Sequence, residues 1–437
     1  MMTHPKMQYT YVGIDSHKEN HTAVFINCFF EKLGEITFRN FPSCFEDFLK
    51  RAQSFKPEGV TLMFGLEDCG SYGRNLMVFL KSKSQNVKHV NALLVARERE
   101  VRNIVAKSDS IDAECAARIL ISQFGELPEA EPDDTYWVLR SLVARRLLLV
   151  RHRSAAKNYL HSLLTHHYPN YQDYFVKLDC NSSLAFLSRY PSPSTLKNTT
   201  VEELAAFLEL PSNKRFGIQK AKEILSTLQD TTVQFQEIRD TVVLSAVRQI
   251  EFYTKEIEQL EENIAAFLKL FNCTLTSMVG IDTVTAAQIL SCIGDIKKFP
   301  TSAKLARYAG IAPVNYGSGK KDLQFANQRG NRELNCVFFW LAVRMSMPLS
   351  GNHFILNSFF YDYYQRKISE GKTKRQALKC VERRLVNIVW TMLTNNEEYV
   401  NPPMIESPRG VPEGGVEGKM EGTPKETPKK SHETGKN

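Results

Sequence analysis

The chain has 437 residues, 43% of them hydrophobic, which is enough for two or three domains with real cores. Its 56 basic and 48 acidic residues give a net charge of +8 and a pI near 8.9, which permits a nucleic-acid partner without requiring one. Nine cysteines stand singly with no C-x-x-C pair, against a zinc module or a disulfide framework; Met1–Tyr9 is polar and no apolar run reaches the roughly 18–20 residues of a membrane span, so a reduced, cytoplasmic protein is expected.

Tyr9–Asp15, His21–Phe30 and Leu33–Asn40 read as three strands joined by short turns. Pro42–Phe55 carries Phe45, Phe48, Leu49 and Ala52 at helical spacing. Gly59–Glu67 is a short buried strand, Ser71–Ser84 a helix, His89–Leu94 a strand, and Ser108–Phe124 a helix with Ser108 or Asp109 near its N-cap. Residues 1–125 are therefore expected to form an α/β domain, and the order strand, strand, strand, helix, strand, helix, strand, helix resembles the ribonuclease-H-like fold. In that fold the first and fourth strands are parallel neighbours, so Asp15 and Glu67, each ending an apolar run, are expected side by side. Asp109 and Asp112 are three apart and share a helix face. Four convergent carboxylates repel one another until cations neutralise them; hard, oxygen-seeking Mg²⁺ (or Mn²⁺) suits them. Taken singly, Asp15 reads as a solvated turn residue, Asp109 as an N-cap and Asp112 as a first-turn acid favoured by the helix dipole. Their joint placement is what points to a metal.

Residues 126–272 begin with an acidic, proline-containing linker, Pro128–Asp134, followed by one long helix, Thr135–His167. No acid occurs between Asp134 and Asp173, while Arg140, Arg145, Arg146, Arg151, Arg153 and Lys157 fall in the same stretch. A cationic helix face of this kind suits a nucleic-acid backbone; the alternative is a basic surface facing acids on a neighbouring helix. Residues 169–232 read as a helical insertion with a weak helix around Val201–Leu210. In Phe235–Phe271, Ile250, Tyr253, Ile257, Leu260, Ile264, Phe267 and Phe271 alternate in steps of three and four, the seam of a coiled coil. That seam would pair with Thr135–His167 or with a second protomer.

Residues 273–400 open on Leu275–Ala287, whose Val279-Gly280-Ile281 turn reads as a helix-hairpin-helix, with an ordinary packing hairpin as the alternative. Ser318 then stands between Gly317 and Gly319, with Lys320, Lys321, Arg329 and Arg332 close in sequence. Glycines let a small nucleophile stand clear, and cations hold a scissile phosphate, although a plain Gly-Ser-Gly loop is usually only a turn. A helix at Lys374–Leu393 carries Arg375, Lys379, Arg383 and Arg384, which are expected to form a further backbone-binding face. Residues 401–437 contain six basic and six acidic residues and almost no large apolar ones, the composition of a disordered tail.

Three N-terminal stretches, Val12-Gly13-Ile14-Asp15-Ser16-His17-Lys18, Leu66-Glu67-Asp68-Cys69-Gly70 and Lys107-Ser108-Asp109-Ser110-Ile111-Asp112, resemble the signatures of the DEDD transposases of insertion-sequence family one-ten and the related Piv/MooV DNA invertases. Ala309-Gly310-Ile311-Ala312-Pro313, Ser318-Gly319 and Gln328-Arg329-Gly330-Asn331 are similar to that family's C-terminal transposase domain. The resemblance implies a domain like the Holliday-junction resolvase RuvC at 1–125, a linker and coiled-coil region at 126–272, and a mainly helical transposase domain at 273–400. It implies metal ligands at Asp15, Glu67, Asp109 and Asp112 and a nucleophile at Ser318. Asp68-Cys69 departs from the family's small or neutral residues, and position favours Glu67 over Asp68. The expected activity is strand cleavage and exchange on double-stranded DNA through a 5′-phosphoserine, by a homo-oligomer, with a structured guide RNA as a further partner in some members. The rival readings are a junction endonuclease using water, and a non-enzymatic nucleic-acid-binding protein.

Overall fold

A computed structural model describes residues 4–67, 72–130, 134–168, 170–228, 234–318, 321–325, 327, 329–348 and 354–400. The expected tail at 401–437, Asp68 and Lys320 lie outside the described residues. The chain divides into two compact units, Met1–Trp137 and Val138–Asn437. Among the described residues, no helix is long and apolar enough to cross a membrane.

The first unit is a mixed sheet of β1 (Tyr9–Ser16), β2 (Asn20–Ile26), β3 (Lys32–Arg39), β4 (Thr61–Glu67) and β5 (Asn86–Val90), in the order β3-β2-β1-β4-β5. β1 to β3 are antiparallel neighbours, and β4 and β5 run parallel to β1. The two-residue period of a strand explains both faces. Val12, Ile14, Ala23, Phe25, Phe64 and Leu66 pack against α1 (Pro42–Ala52) and α2 (Arg74–Ser82). The alternate residues Tyr11, Val24, Ile26 and Met63 pack against α3 (Ala92–Val101) and α4 (Asp109–Ser122). With both faces covered, β1 is buried almost throughout, which is why it reads as an unbroken apolar run.

Two expectations are corrected. The second strand does not run to Phe30: Asn27 Oδ1 accepts from the backbone of Phe29 at 2.9 Å and Glu31 at 3.0 Å, and Phe30 takes φ +66, so 27–30 is a turn. Nor is His89–Leu94 one strand. β5 ends at Val90, Asn91 caps the next helix by accepting from Leu93 N at 2.9 Å, and Ala92–Val101 is helical. The chain order therefore contains one more helix than expected.

The second unit is almost wholly helical. It comprises α5 (Asp134–His167, entering from the first unit), α6 (Tyr171–Tyr174), α7 (Asn181–Arg189), α8 (Val201–Glu209), α9 (Ile218–Ser226), α10 (Gln236–Leu268), α11 (Thr283–Ile293), α12 (Ser302–Tyr308), the hairpin β6 (Val314–Ser318) and β7 (Lys321–Phe325), α13 (Arg332–Ser346), α14 (Ser358–Ser369) and α15 (Lys374–Asn395). α5 and α10 pair within this chain: Arg146 meets Glu261, and the rings of His152 and Tyr253 lie 5.7 Å apart, so positions advance along one helix as they recede along the other, an antiparallel pair. Two cores share this pair. One joins Ala156, Leu160 and Leu164 of α5 and Val243, Val247 and Ile250 of α10 with α7 to α9. The other joins Leu139 and Val143, Ile264 and Leu268 with α11 to α15. Ahead of α11, Leu275–Ser277 makes a single 3₁₀ turn, Gly280 takes φ +100, and Asp282 caps the helix by accepting from Thr285 N at 2.7 Å.

Candidate active site

The sheet's alternation brings the carboxylates together. Asp15 and Glu67 are register partners across the parallel pair β1 and β4. Both have odd parity along their strands, like Tyr11, Gly13 and Met63, so both face α4. Gly13 is what lets α4 come close: a Cβ there would lie 2.0 Å from the Ala113 carbonyl oxygen and 2.3 Å from the Ala117 nitrogen. Because α4 lies nearly on the strand, its first turn, with Asp109 and Asp112, is set beside the end of β1. Ser108 caps that turn by accepting from Ile111 N at 3.3 Å, and Ser110 donates to Glu35 of β3 at 2.6 Å.

Asp15 is 7% exposed. Burial pushes its carboxyl up to about 6, with His17 opposing the shift and the charges of Glu67, Asp109 and Asp112 adding to it. His17, which sequence reasoning passed over, lies 3.1 Å from Asp15 Oδ2 and 3.2 Å from Asp109 Oδ1 through Nε2. One ligand atom each from Asp15, His17 and Asp109 falls within 4.8 Å of the others, with Glu67 alongside in register. A close set of oxygen donors with one imidazole, around a carboxyl whose charged form is disfavoured first by burial and then by the neighbouring carboxylates, fits a divalent cation. The loop behind is pinned by Asn40, whose amide donates to the carbonyls of His17 at 3.3 Å, Lys18 at 3.4 Å and Tyr72 at 3.1 Å.

Asp112, 6% exposed, is ion-paired with Arg99 of α3. Arg99 is not legible from sequence because only the first residues of α3, within His89–Leu94, are read, as strand, and the rest is left unassigned; the capping Asn91 is the available signal. Replacing His17 with Ala removes the imidazole 3.1 Å from Asp15 Oδ2, which opposes the rise, and should push the Asp15 carboxyl higher still. The expected result is about tenfold weaker Mn²⁺ binding by isothermal titration calorimetry, with the fold unchanged by circular dichroism. Equal affinity would show that His17 takes no part.

In the second unit, Ser318 ends β6 and pairs in register with Lys321 of β7. The hairpin's base is locked by two glycines: a Cβ on Gly330 would lie 2.2 Å from the Gly310 nitrogen. Around them, Asn331 N donates to Tyr308 O at 2.6 Å, Asn335 to Ala309 O at 2.9 Å and Asn327 to Arg307 O at 2.9 Å. The separated stretches around Ala309-Gly310 and Gly330-Asn331 are thus one structure.

The cations chosen from sequence divide into two sets. Arg140 donates to Ser291 O at 3.1 Å, Arg146 pairs with Glu261, and Lys157 pairs with Asp179 at 2.7 Å. Lys379 pairs with buried Glu382 at 2.6 Å, and Arg383 donates to Ser302 O at 3.4 Å. At Arg146 the basic stripe of α5 faces an acid on a neighbouring helix, as the alternative reading of that stripe had it. Arg145, Arg329 and Arg332 are exposed and Arg153 half-buried, without an ion pair among the described residues.

A mixed sheet with carboxylates converging at the ends of two parallel strands and the start of the facing helix is consistent with a DEDD nuclease-like fold. Two family models agree with it: one described as a DEDD transposase of IS110 type matches residues 12–169, and one described as the transposase family IS116/IS110/IS902 matches residues 272–354. The chain belongs to the IS110 family of transposases, DNA-recombining enzymes. It is 25% identical over 399 residues to the uncharacterized protein of insertion element IS116 from Streptomyces clavuligerus, covering 90% of this chain and 97% of that one. It is 27% identical over 348 residues to the IS110 protein of Streptomyces coelicolor, covering 78% and 83%. With the pilin gene-inverting protein of Moraxella bovis it shares 29% identity over 164 residues, covering 34% and 47%.

Proposed function

We propose that this transposase cuts and exchanges DNA strands through a serine ester, with Asp15, Glu67, Asp109 and Asp112 as the metal-binding set and Ser318 as the nucleophile. The observation that carries the reading is the convergence of Asp15 and Glu67, in register, with the first turn of α4. Mg²⁺ or Mn²⁺ bound there would supply positive charge against the scissile phosphate. The hydroxyl oxygen of Ser318 attacks phosphorus and the bond to the 3′ oxygen breaks; the serine proton ends on that oxygen. The products are a 5′-phosphoserine and a free 3′-hydroxyl. A 3′-hydroxyl from a partner strand then attacks the ester, and the proton returns to Ser318. Ester exchange conserves the number of phosphodiester bonds, so ATP is not required.

The remaining parts are assigned roles in the same reading. Residues 1–125 form the carboxylate domain, 126–272 a linker and coiled coil supporting a homo-oligomer, 273–400 the serine domain, and 401–437 a tail. The turn at Gly280 and the capped start of α11 support a helix-hairpin-helix facing DNA phosphates. A structured guide RNA is proposed as a second partner, and Arg145, Arg153, Lys320, Lys321, Arg329 and Arg332 as backbone contacts.

The test expresses the protein with its native flanking DNA and resolves the products on a denaturing gel, beside Ser318→Ala and Asp15→Asn. A covalent protein–DNA adduct in the wild type, absent from both variants, is the expected result. Cutting without an adduct, unaffected by Ser318→Ala, would replace this reading with a nuclease that uses water.

A further inference from the structure

α5, α11 and α13 enclose a groove of about 750 Å³ in the second unit. On its α13 wall, Arg332, Cys336, Trp340 and Arg344 recur every four residues and so form one stripe. Trp340 is 60% exposed, with its ring edge-on to Phe339 at 5.3 Å. Across the groove α5 contributes Leu148, 41% exposed, and Arg151 one turn further on. Arg151 and Arg332 form no ion pair among the described residues, while Arg344 is held by the Gly280 carbonyl at 3.1 Å and by Asp282 at 3.5 Å. Glu333 is the one acid in the lining among the described residues.

We infer that this groove holds a single DNA strand, with one unpaired base stacked on Trp340 and the neighbouring phosphates taken by Arg151 and Arg332. An exposed indole flanked by arginines on its own helix stripe and faced by another across a gap is a stacking platform within an electropositive track. Charge decides against a helix of a second copy: such a groove would be apolar along its length, whereas here cations outnumber the single acid. The occupant is DNA because the enzyme recombines DNA, and exchanging strands leaves bases transiently without partners. The Arg332 end of the groove is the start of α13, seven residues beyond the end of β7. The assignment rests on the strand-exchange reading above and adds a place and a contact to it.

The experiment follows intrinsic fluorescence of the full-length protein as an oligothymidylate of about a dozen nucleotides is added. Stacking quenches Trp340. Trp340→Ala should abolish most of the quenching and, by anisotropy of a labelled strand, weaken binding about tenfold, with Trp340→Phe restoring much of the affinity. Arg332→Gln should lower the slope of log affinity against log salt by about 0.7, one contact's share for single strands. Unchanged affinity in Trp340→Ala overturns the proposal. So does tighter binding of oligouridylate than of oligothymidylate, or a changed oligomeric state by light scattering with DNA affinity intact. Cleavage is scored separately: quenching by an inactive Asp15→Asn protein supports the groove alone, and adduct formation without quenching supports the chemistry alone.

Discussion

Asp15→Asn should abolish strand cleavage and at the same time stabilise the metal-free protein. The loss follows from removing a charged oxygen from the centre of the cluster; metal-assisted charge stabilisation is worth several kcal/mol, hence a fall on the order of 10³-fold. The gain follows from the direction of the shift. The Asp15 carboxyl titrates at about 6 in the folded chain against an ordinary 3.8. Between those values the folded state holds a proton that the unfolded state has given up, so stability falls as pH rises through the window and the full penalty stands at neutral pH. That penalty is about 3 kcal/mol. Asn removes it and also forfeits the 3.1 Å contact with His17, leaving a net gain of about 1–2 kcal/mol and a Tm higher by a few degrees. In chelator at pH 7.5 the variant should melt above the wild type, and with Mg²⁺ the wild type should recover the difference. A variant that melts lower in chelator would contradict the assignment of strain to this carboxylate.

The second large effect is expected at Gly13. In Gly13→Ala the new methyl meets backbone, not flexible side chains: the Ala113 oxygen at 2.0 Å and the Ala117 nitrogen at 2.3 Å. Neither atom moves unless α4 lifts off the sheet. Overpacking of this kind costs about 3 kcal/mol or more, and lifting α4 carries Asp109 and Asp112 away from Asp15. Activity should therefore fall more steeply than stability, and the Mg²⁺-induced rise in Tm should disappear even at temperatures where the variant stays folded. Gly217→Ala is the control, since nothing lies within 4 Å of that position. A Gly13→Ala protein with wild-type melting and metal response would show that the close packing of α4 on β1 is not needed.

The sheet and its carboxylates were legible because they rest on local rules. Apolar runs ending in acids mark β1 and β4, the resemblance of the element order to the ribonuclease-H-like fold implies that they are neighbours, and a two-residue period puts Asp15 and Glu67 on one face. What was not legible depends on contacts across distance. His89–Leu94 is short and mostly apolar and reads as one strand, yet a strand ends and a helix begins inside it at Asn91, so α3 and its Arg99 are not seen. The basic stripe of α5 looked free because one helix's periodicity says nothing of its neighbours. Glu261, far along the chain, and Asp179, beyond the end of α5, take up Arg146 and Lys157. Trp340 gave no signal at all, since an aromatic residue in an amphipathic helix reads as core until its exposure is known.

The sharing of α5 and α10 between two cores also sets an order of assembly during synthesis. The insertion core has all its residues once Ile250 has been made, but the core containing Leu139 and Val143 waits for Met392. At about 5–20 residues per second, that interval is on the order of 7–30 s. Throughout it, the start of α5 presents Leu139 and Val143 to water, joined by Ile264 and Leu268 once the end of α10 has been made. The nascent chain thus passes through a stage in which its first unit can be complete and its second cannot, and in which chaperones would find their clearest target.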